Sequence, residues 1–481
     1  MTLIAKTKDA YQLLQDGANV LSIMEHNGVR IDMKFLRETQ ERNEKTVKRK
    51  TEKLLKSKVW KKWKRKFPGN AKLTNRFQLG AVLSDMGHEF DRTEPTARFP
   101  DGQLKVDEEG LEKVDHPFVK MYLQTEKIKK LGSTWLRNLE RETVDGFLHP
   151  SFHLHTARSF RSSSGRDKDV ELTEQAEINF QNLPVRNPER AEMIRRCFIP
   201  RRDDWSIFEI DYGGIEVSIA YCYHKDEKLK KDHLEGDMHR DMAAECFMLP
   251  TDKVNKMTRY CSKNMFVFPQ FYGSYYIDCA RNMWKSMDRL KLVVGDPENP
   301  DCTVREHLAK KGIKALGECD PSKDAVKGTF EYHMKEIERK FWEVRYKTYD
   351  KWKKDYWRKY LEKGYCQMYT GFLVKGPHRK NDVVNYPIQG AAFHCLLKSA
   401  ILIQKELIKR RMKTRLFGQI HDSIVADGPK KETKDYISIA NEVMLERIPK
   451  LWKWITIPLR AEAEVTPPGM SWFYKKGYEL K

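Results

Sequence analysis

Paired cysteines are missing from this chain. Its nine cysteines occur singly and no two stand at CxxC spacing, so neither a zinc ribbon nor a disulfide framework is indicated, and an odd count suits a reducing compartment. Long apolar runs are missing as well. None approaches the roughly 20 residues that a membrane-spanning helix needs, and the opening MTLIAKTKDAYQLL has no signal-peptide core. No internal repeat or long low-complexity tract is present, which argues against a solenoid or a disordered tail. Acidic residues are in short supply: 69 stand against 90 basic ones, a net charge of +21. Such a surplus points to a polyanionic partner, nucleic acid or a membrane face.

What is present is enough for a large folded protein. At 481 residues with 40% hydrophobic content, two or three subdomains are expected. Residues 1–66 read as helical, with Leu13, Leu14, Val20, Leu21 and Met24 on one apolar face. Residues 41–66 carry thirteen Lys and Arg against three Glu, interrupted by Trp60 and Trp63. That imbalance is too great for salt-bridge lacing and suits contact with a phosphate backbone. Residues 91–110 read as a loop, 111–145 as helix, 149–165 as a short strand and a loop rich in Ser and Arg, and 229–284 as mostly helix. A loop-rich insertion spans 291–326. Residues 330–363 read as one long helix dense in aromatics, most of them packing residues.

Two acids stand apart from this background. In FEIDYGGIEVSIAYCYHKDEK (208–228), an apolar run ends at Asp211, two glycines follow, and Glu216 opens a helical pattern. In RLFGQIHDSIVADGP (415–429), two apolar strands flank His421-Asp422-Ser423, a hairpin with an acid at its tip. Both aspartates terminate apolar strands, so one sheet would bring them together. Close carboxylates repel unless cations lie between them, and magnesium is the natural hard cation for oxygen ligands. Two such ions suit an in-line phosphoryl displacement, so nucleotidyl transfer is the leading chemistry.

These residues and their neighbours resemble the polymerase domain of the family A DNA polymerases, the bacterial DNA polymerase I type with many phage members. DYGGIE (211–216) is similar to the family's DYSQIE, and HDS (421–423) to its HDE, with Ser423 in place of the usual Glu. GDMHRDMAAECF (236–247) resembles the D-x-H-x-x-x-A stretch. NYPIQG (385–390) matches N-x-P-x-Q-G, although the arginine expected four residues earlier is Asn381. FRSSS (160–164) and NFQNLP (179–184) resemble GRLSS and NLQNIP. RYCSKNMFVFPQFYG (259–273) keeps Arg259 and Lys263 at i and i+4 and closes on Tyr272-Gly273, with one residue more than the family pattern between them. Counting forward selects Val267 as the aromatic position, and counting back selects Phe268, the favoured register. Pro269 cannot donate a backbone hydrogen bond, so a kink or bulge is expected beside it.

The resemblance implies an α+β right-hand polymerase fold: a helical thumb at 1–148, an antiparallel-sheet palm from 149–224 and 376–481, and helical fingers at 225–375 with the insertion near 286–330. It implies Asp211, Asp422 and the Tyr212 carbonyl as ligands of two Mg²⁺ ions, and Lys263 as a general acid toward pyrophosphate. Arg259, Lys263, Phe268, Tyr272 and His239 would hold the nucleotide, and Glu216 would exclude a ribose 2′-hydroxyl. Arg161, Gln181, Asn182, Asn385, Gln389 and His421 would contact DNA. Phe268, having no phenolic hydroxyl, implies poor use of dideoxynucleotides. The partners implied are primer-template DNA and dNTPs, with no membrane. A monomer is expected, in the cytoplasm of a bacterial or phage-infected cell, and a separate exonuclease, helicase or processivity factor is compatible with it. The resemblance begins at the thumb, so no 3′–5′ proofreading domain is expected in this polypeptide. Two other readings compete. A single-subunit RNA polymerase would not carry the ribose-excluding acid Glu216. A non-catalytic basic nucleic-acid-binding protein would have no need of Asp211, Asp422, Arg259 and Lys263 together.

Overall fold

The computed structural model describes residues 4–93, 95–165, 178–184, 188–296 and 299–480. At its centre lies a five-stranded antiparallel sheet in the order Arg415–Ile420, Ser423–Pro429, Trp205–Tyr212, Ala461–Val465, Lys476–Gly477. The middle strand, WSIFEIDY, is buried along nearly its whole length, which is why it reads as a continuous apolar run and not as an alternation. Helix Thr7–Asn27 packs on the strand Arg415–Ile420 and on the 30-residue helix Lys380–Lys409. Phe180, Phe198, Phe417 and Trp472 interlock on the inner side, with Phe180 stacked on Trp472 at 5.9 Å.

A separate, smaller core gathers residues between Leu54 and Leu123. Trp60 and Trp63 belong to it, and Trp63 Nε1 donates to the buried Gln78 Oε1 at 2.9 Å. The tryptophans of the basic run are therefore packing residues, while Lys61, Lys62, Lys64 and Arg65 stand exposed around them. The run is also two helices: Ser57 ends Met33–Lys56 and caps Lys58–Lys66 by accepting from the Trp60 N–H at 3.1 Å.

The expected long helix over 330–363 is likewise divided. Phe330–Arg339 passes through a π turn, Lys340–Arg345, and the chain bends at Tyr346 before Lys347–Lys363 begins. Buried polar partners fix the bend. Arg345 donates to Asp232 (2.9 Å) and Asp241 (2.7 Å), and Tyr346 Oη donates to Asp232 (2.9 Å). Buried Asp226 then caps two helices at once, accepting from the Leu229 N–H with Oδ1 and from the Thr348 and Tyr349 N–H groups with Oδ2, all at 3.1 Å. Its carboxylate thereby pins the start of Lys347–Lys363 beside that of Glu227–Leu234. Lys285, on the helix Tyr276–Arg289, forms an ion pair with Glu109, which lies within the span of the small core.

All nine cysteines are free and all but Cys302 are buried, behaving as small apolar residues. Among the described residues no helix is long and apolar enough to cross a membrane.

His394, on the long helix, is fully buried. It lies between the Thr370 hydroxyl, 2.7 Å from Nδ1, and the Phe160 carbonyl, to which Nε2 donates at 3.2 Å. Burial pushes its pKa down to about 3, so the ring is neutral in the fold and gains a proton more readily once unfolded. Its contribution to stability is complete above the unfolded value near 6.5 and is lost as pH falls toward 3. His394→Asn is thus expected to lower the melting temperature most at pH 7.5, with the gap to wild type narrowing by pH 5. A gap independent of pH would assign the effect to packing alone.

Candidate active site

The sheet register sets the first pair of groups. Asp211 lies opposite Ser423 on one side and Glu462 on the other. The adjoining hairpin closes through a two-residue turn, His421-Asp422, with His421 at φ +50°. The Tyr212 N–H donates to the Asp422 carbonyl at 3.1 Å, locking the turn to the end of the middle strand. The two aspartates thus converge on one end of the sheet. Although Asp211 stands exposed at the rim, surrounding protein desolvates its carboxyl. This desolvation, then the charges of Asp422 and Glu209, push its pKa up to about 7. Asp422 is pushed up to about 6 by burial and by Glu216, with Arg161 opposing. Ser423 spends its hydroxyl on the Ile420 carbonyl (2.9 Å) and faces Asp211 with no carboxylate.

The glycines after Tyr212 have a backbone reason. Gly214 takes a left-handed conformation (φ +66°) and starts the helix Ile215–His224, and a Cβ there would meet the His233 ring at 2.9 Å. The turn places Glu216 in the first helical turn, where both its oxygens are engaged. Arg161 donates to Oε1 at 3.0 Å and the Tyr272 hydroxyl to Oε2 at 2.5 Å. Burial and the Glu216 charge hold the Tyr272 phenol un-ionised. Residues at 161, 216 and 272 thereby form one contact.

The segment that carries the extra residue is a helix with a bulge in it. Lys256–Ser262 is α-helical, Lys263–Val267 is a π turn in which the Phe268 N–H reaches back to the Lys263 carbonyl, and Phe268–Phe271 resumes the α-helix. A π turn absorbs one residue without breaking the helix, and it falls where Pro269 has no N–H to give. Val267 is consequently turned into the core, at 0% exposure. Phe268 instead meets the His239 ring edge-on at 5.5 Å, the Lys263 Nζ at 5.1 Å and the Tyr272 ring at 6.4 Å.

Around that ring lie the cations. Burial, then Arg259, lower the Lys263 pKa. His239 is pushed down to about 4 by burial, then by Lys263 and Arg259, so its imidazole is neutral at pH 7, and its buried Nδ1 has no partner among the described residues. Arg259 Nε bonds both oxygens of Asp237, at 2.7 and 3.0 Å. Asp237 also caps the helix Met238–Phe247 that carries His239. Asp237 was not singled out from sequence as a site residue, although a capping acid before a helix was a usable signal. Glu462 was missed as well, since the final strand AEAEV reads only as an alternating edge.

The long helix supplies the next layer. Asn385 Nδ2 donates to the Tyr272 carbonyl (3.0 Å) and Asn381 Nδ2 to the Gly273 carbonyl (2.8 Å), so both hold the end of the bulged helix. Asn381, standing where the family has arginine, fits against Gly273 and presents no charge. Gln389 is mid-helix and lines a small cavity with Glu216, Phe268 and Tyr272. Gly390 lets the helix press on the Ser159 carbonyl, 2.5 Å from where a Cβ would be.

Gln181 and Asn182 lie on the short turn Phe180–Asn182, which packs on the hairpin strand Arg415–Ile420. Gln181 Nε2 donates to Ser162 Oγ (2.9 Å) and Gln419 Oε1 (2.7 Å), and Gln419 Nε2 donates to the His421 carbonyl (2.6 Å). This network ties the Ser-rich loop to the turn bearing Asp422. Asn182 and His421 are exposed at the mouth of a cleft of about 1240 Å³ whose opposite wall carries Arg76, Lys127, Lys129 and Lys130.

Residues 37–289 and 343–472 match the model of DNA polymerase family A. The chain belongs to that family. The DNA polymerase I of Geobacillus stearothermophilus is 25% identical over 473 residues, covering 97% of this chain and 46% of that protein. That of Streptococcus pneumoniae is 25% identical over 472 residues, with the same coverage of both. A DNA polymerase of Bacillus phage SP01 is 23% identical over 364 residues, 72% of this chain and 34% of that one. The chain therefore spans about half the length, or less, of the curated relatives it matches. The POL domain of Pol1 from M. smegmatis, solved with DNA primer-template and dNTP, superposes with a TM-score of 0.69 at 21% identity, covering 96% of this chain and 70% of that one. The family A chain thus has the expected α+β polymerase fold.

Proposed function

We propose that this chain extends a primer 3′-hydroxyl along a DNA template with deoxynucleoside triphosphates, releasing pyrophosphate. The observation that carries the reading is the convergence of Asp211 and Asp422 at one end of the sheet. Its support lies in what surrounds them: a cation row on the bulged helix and the Glu216–Tyr272 contact. We assign residues 1–148 to the thumb, 149–224 and 376–481 to the palm and 225–375 to the fingers. The basic cleft between the first two would take the primer-template duplex, with Asn182 and His421 at its mouth and Gln181 tied through Gln419 to the His421 carbonyl.

The acid pair fits a hard divalent cation. Each carboxylate resists ionisation on its own, and Lys475, whose charge acts on Asp211, is engaged by Glu209 and Glu464. No third His, Cys, Asp or Glu completes a cage among the described residues, so a bound ion would draw its remaining oxygens from substrate and water, as magnesium does. Two Mg²⁺ held by Asp211, Asp422 and the Tyr212 carbonyl would supply activation of the 3′-hydroxyl and charge neutralisation on the phosphates. Arg259 would leave Asp237 to grip the triphosphate in bidentate fashion, and neutral His239 would donate to a phosphate oxygen. Phe268 would give its face to the incoming base and sugar. Arg161, Asn385 and Gln389 would border the new base pair.

Lys263, its pKa lowered by burial and by Arg259 against the opposing charge of Asp237, is suited to pass a proton to the leaving pyrophosphate. Lys263→Ala is expected to lower kcat by about 10²-fold or more while leaving duplex affinity unchanged. A change confined to KM would restrict Lys263 to binding.

Primer extension on a DNA template with magnesium, offering dNTPs or rNTPs, tests the whole reading. Extension with dNTPs alone supports it. Equal use of rNTPs would favour an RNA polymerase, and no extension with either would favour a binding protein.

A further inference from the structure

Phe268–Phe271, which resumes the helix after the bulge, is a single turn with a proline in it, so few backbone bonds hold it. Gln270 is its one buried residue, at 1% exposure. An amide is costly to bury unless its polar atoms find partners. Here both do. Gln270 Oε1 accepts from the Trp342 indole N–H at 2.7 Å, and Nε2 donates to Glu338 Oε2 at 2.5 Å and to Cys279 Sγ at 3.5 Å. An indole can only donate and a carboxylate can only accept, so the amide is held in one orientation.

Glu338, on the helix Phe330–Arg339, does more than meet that amide. Its carboxylate also takes the backbone N–H of Tyr276, which opens the helix Tyr276–Arg289. One acid therefore holds the chain on either side of residues 272–275. Tyr272, in that connection, gives its hydroxyl to Glu216. The long helix holds the same connection through Asn385 and Asn381. Lys353 backs the assembly, with its Nζ 2.9 Å from the Trp342 ring centroid and its charge acting on Glu338. Neither Gln270 nor Glu338 lines the cavity shared by Glu216, Phe268 and Tyr272.

We infer that Gln270 and Glu338 are positioning residues for the incoming nucleotide, a clamp that sets Tyr272 against Glu216 and thereby governs selection against a ribose 2′-hydroxyl. The inference rests on the polymerase reading above and adds to it two groups that touch no substrate. An apolar side chain at 270 would fill the same space without the cost of burying an amide. It would not fix the rotation of the turn, since packing has no preferred direction and hydrogen bonds do. A turn free to rotate would carry Phe268 and Tyr272 with it.

The test is single-nucleotide incorporation by the full chain at pH 8 with magnesium, comparing a dNTP with the matching rNTP. The ratio of their kcat/KM values does not depend on how much of a variant is folded, so a merely structural role would leave it unmoved. Gln270→Leu is expected to raise KM for the dNTP about 10-fold, with a smaller change in kcat, and to lower the dNTP-to-rNTP ratio about 5-fold. Gln270→Glu sets two carboxylates together and should do at least as much. Adding Glu338→Gln to it restores an amide–carboxylate pair with donor and acceptor exchanged, and should bring both values within about 2-fold of wild type. An unchanged ratio in Gln270→Leu, or a double variant no better than Gln270→Glu, would overturn the inference while wild type still extends primers. Failure of the polymerase reading would look different: wild type would extend with neither nucleotide, and the clamp would fall with it.

Discussion

Asp422→Ala is expected to reduce primer extension by about 10³-fold or more while leaving the affinity for primer-template unchanged or slightly higher. The size follows from what the carboxylate would do. Charge stabilisation at a metal-assisted phosphoryl transfer is worth several kcal/mol, and each 1.36 kcal/mol is a factor of ten. The direction on binding follows from sign, since the substitution removes a negative charge from a surface that would meet a polyanion. The fold should tolerate the change. The contact that fixes the turn is made by the Asp422 carbonyl, which alanine keeps, and the residue requiring positive φ is the neighbouring His421. An acid whose pKa is raised in the folded state costs stability once the pH exceeds its ordinary value, so the variant should melt no lower than wild type at pH 8 without metal. Extension rate, duplex affinity and melting temperature together separate a catalytic loss from misfolding. A rate close to wild type would remove Asp422 from the chemistry, and Asp211→Asn gives the same reading on its partner.

The pairing of these aspartates was legible because each borders a short continuous apolar run, the mark that a strand buried on both faces leaves in any single sequence. The bulge beside Pro269 was legible for a similar reason: an extra residue and a missing N–H are local facts. The tertiary context of the aromatics was not. Trp60 and Trp63 sit in a basic stretch that looked like a nucleic-acid surface, yet their rings close a small core that needs Leu79, Leu111 and Phe118, residues whose convergence no spacing reveals. The division of 330–363 at Tyr346 was hidden because its cause lies a hundred residues away, in Asp232 and Asp241. The same holds within the site. Glu216 was visible as an acid at a helix start, but its two partners, at 161 and 272, come from a loop and a helix that only the fold brings together.

That three-way contact leads to the second large effect. Glu216→Ala is expected to relax selection against ribonucleotides by about 10²-fold, read as the ratio of kcat/KM for dNTP to that for rNTP. A 2′-hydroxyl near Glu216 could in principle be welcomed, because a carboxylate is a strong acceptor. Here each of its oxygens already holds a donor, Arg161 on Oε1 and the Tyr272 hydroxyl on Oε2, and those donors with the carboxylate fill the space, so a ribose hydroxyl would have to crowd or displace a partner. Alanine opens that space. Glutamine keeps the volume and one acceptor, and should retain most of the discrimination. Tyr272→Phe frees Oε2 without adding room, so it should relax selection partly, by offering the 2′-hydroxyl an acceptor. The order alanine, then phenylalanine at 272, then glutamine distinguishes occupancy of the carboxylate from bulk alone, which would leave Tyr272→Phe indistinguishable from wild type. An unchanged ratio in Glu216→Ala would mean that the sugar is read elsewhere.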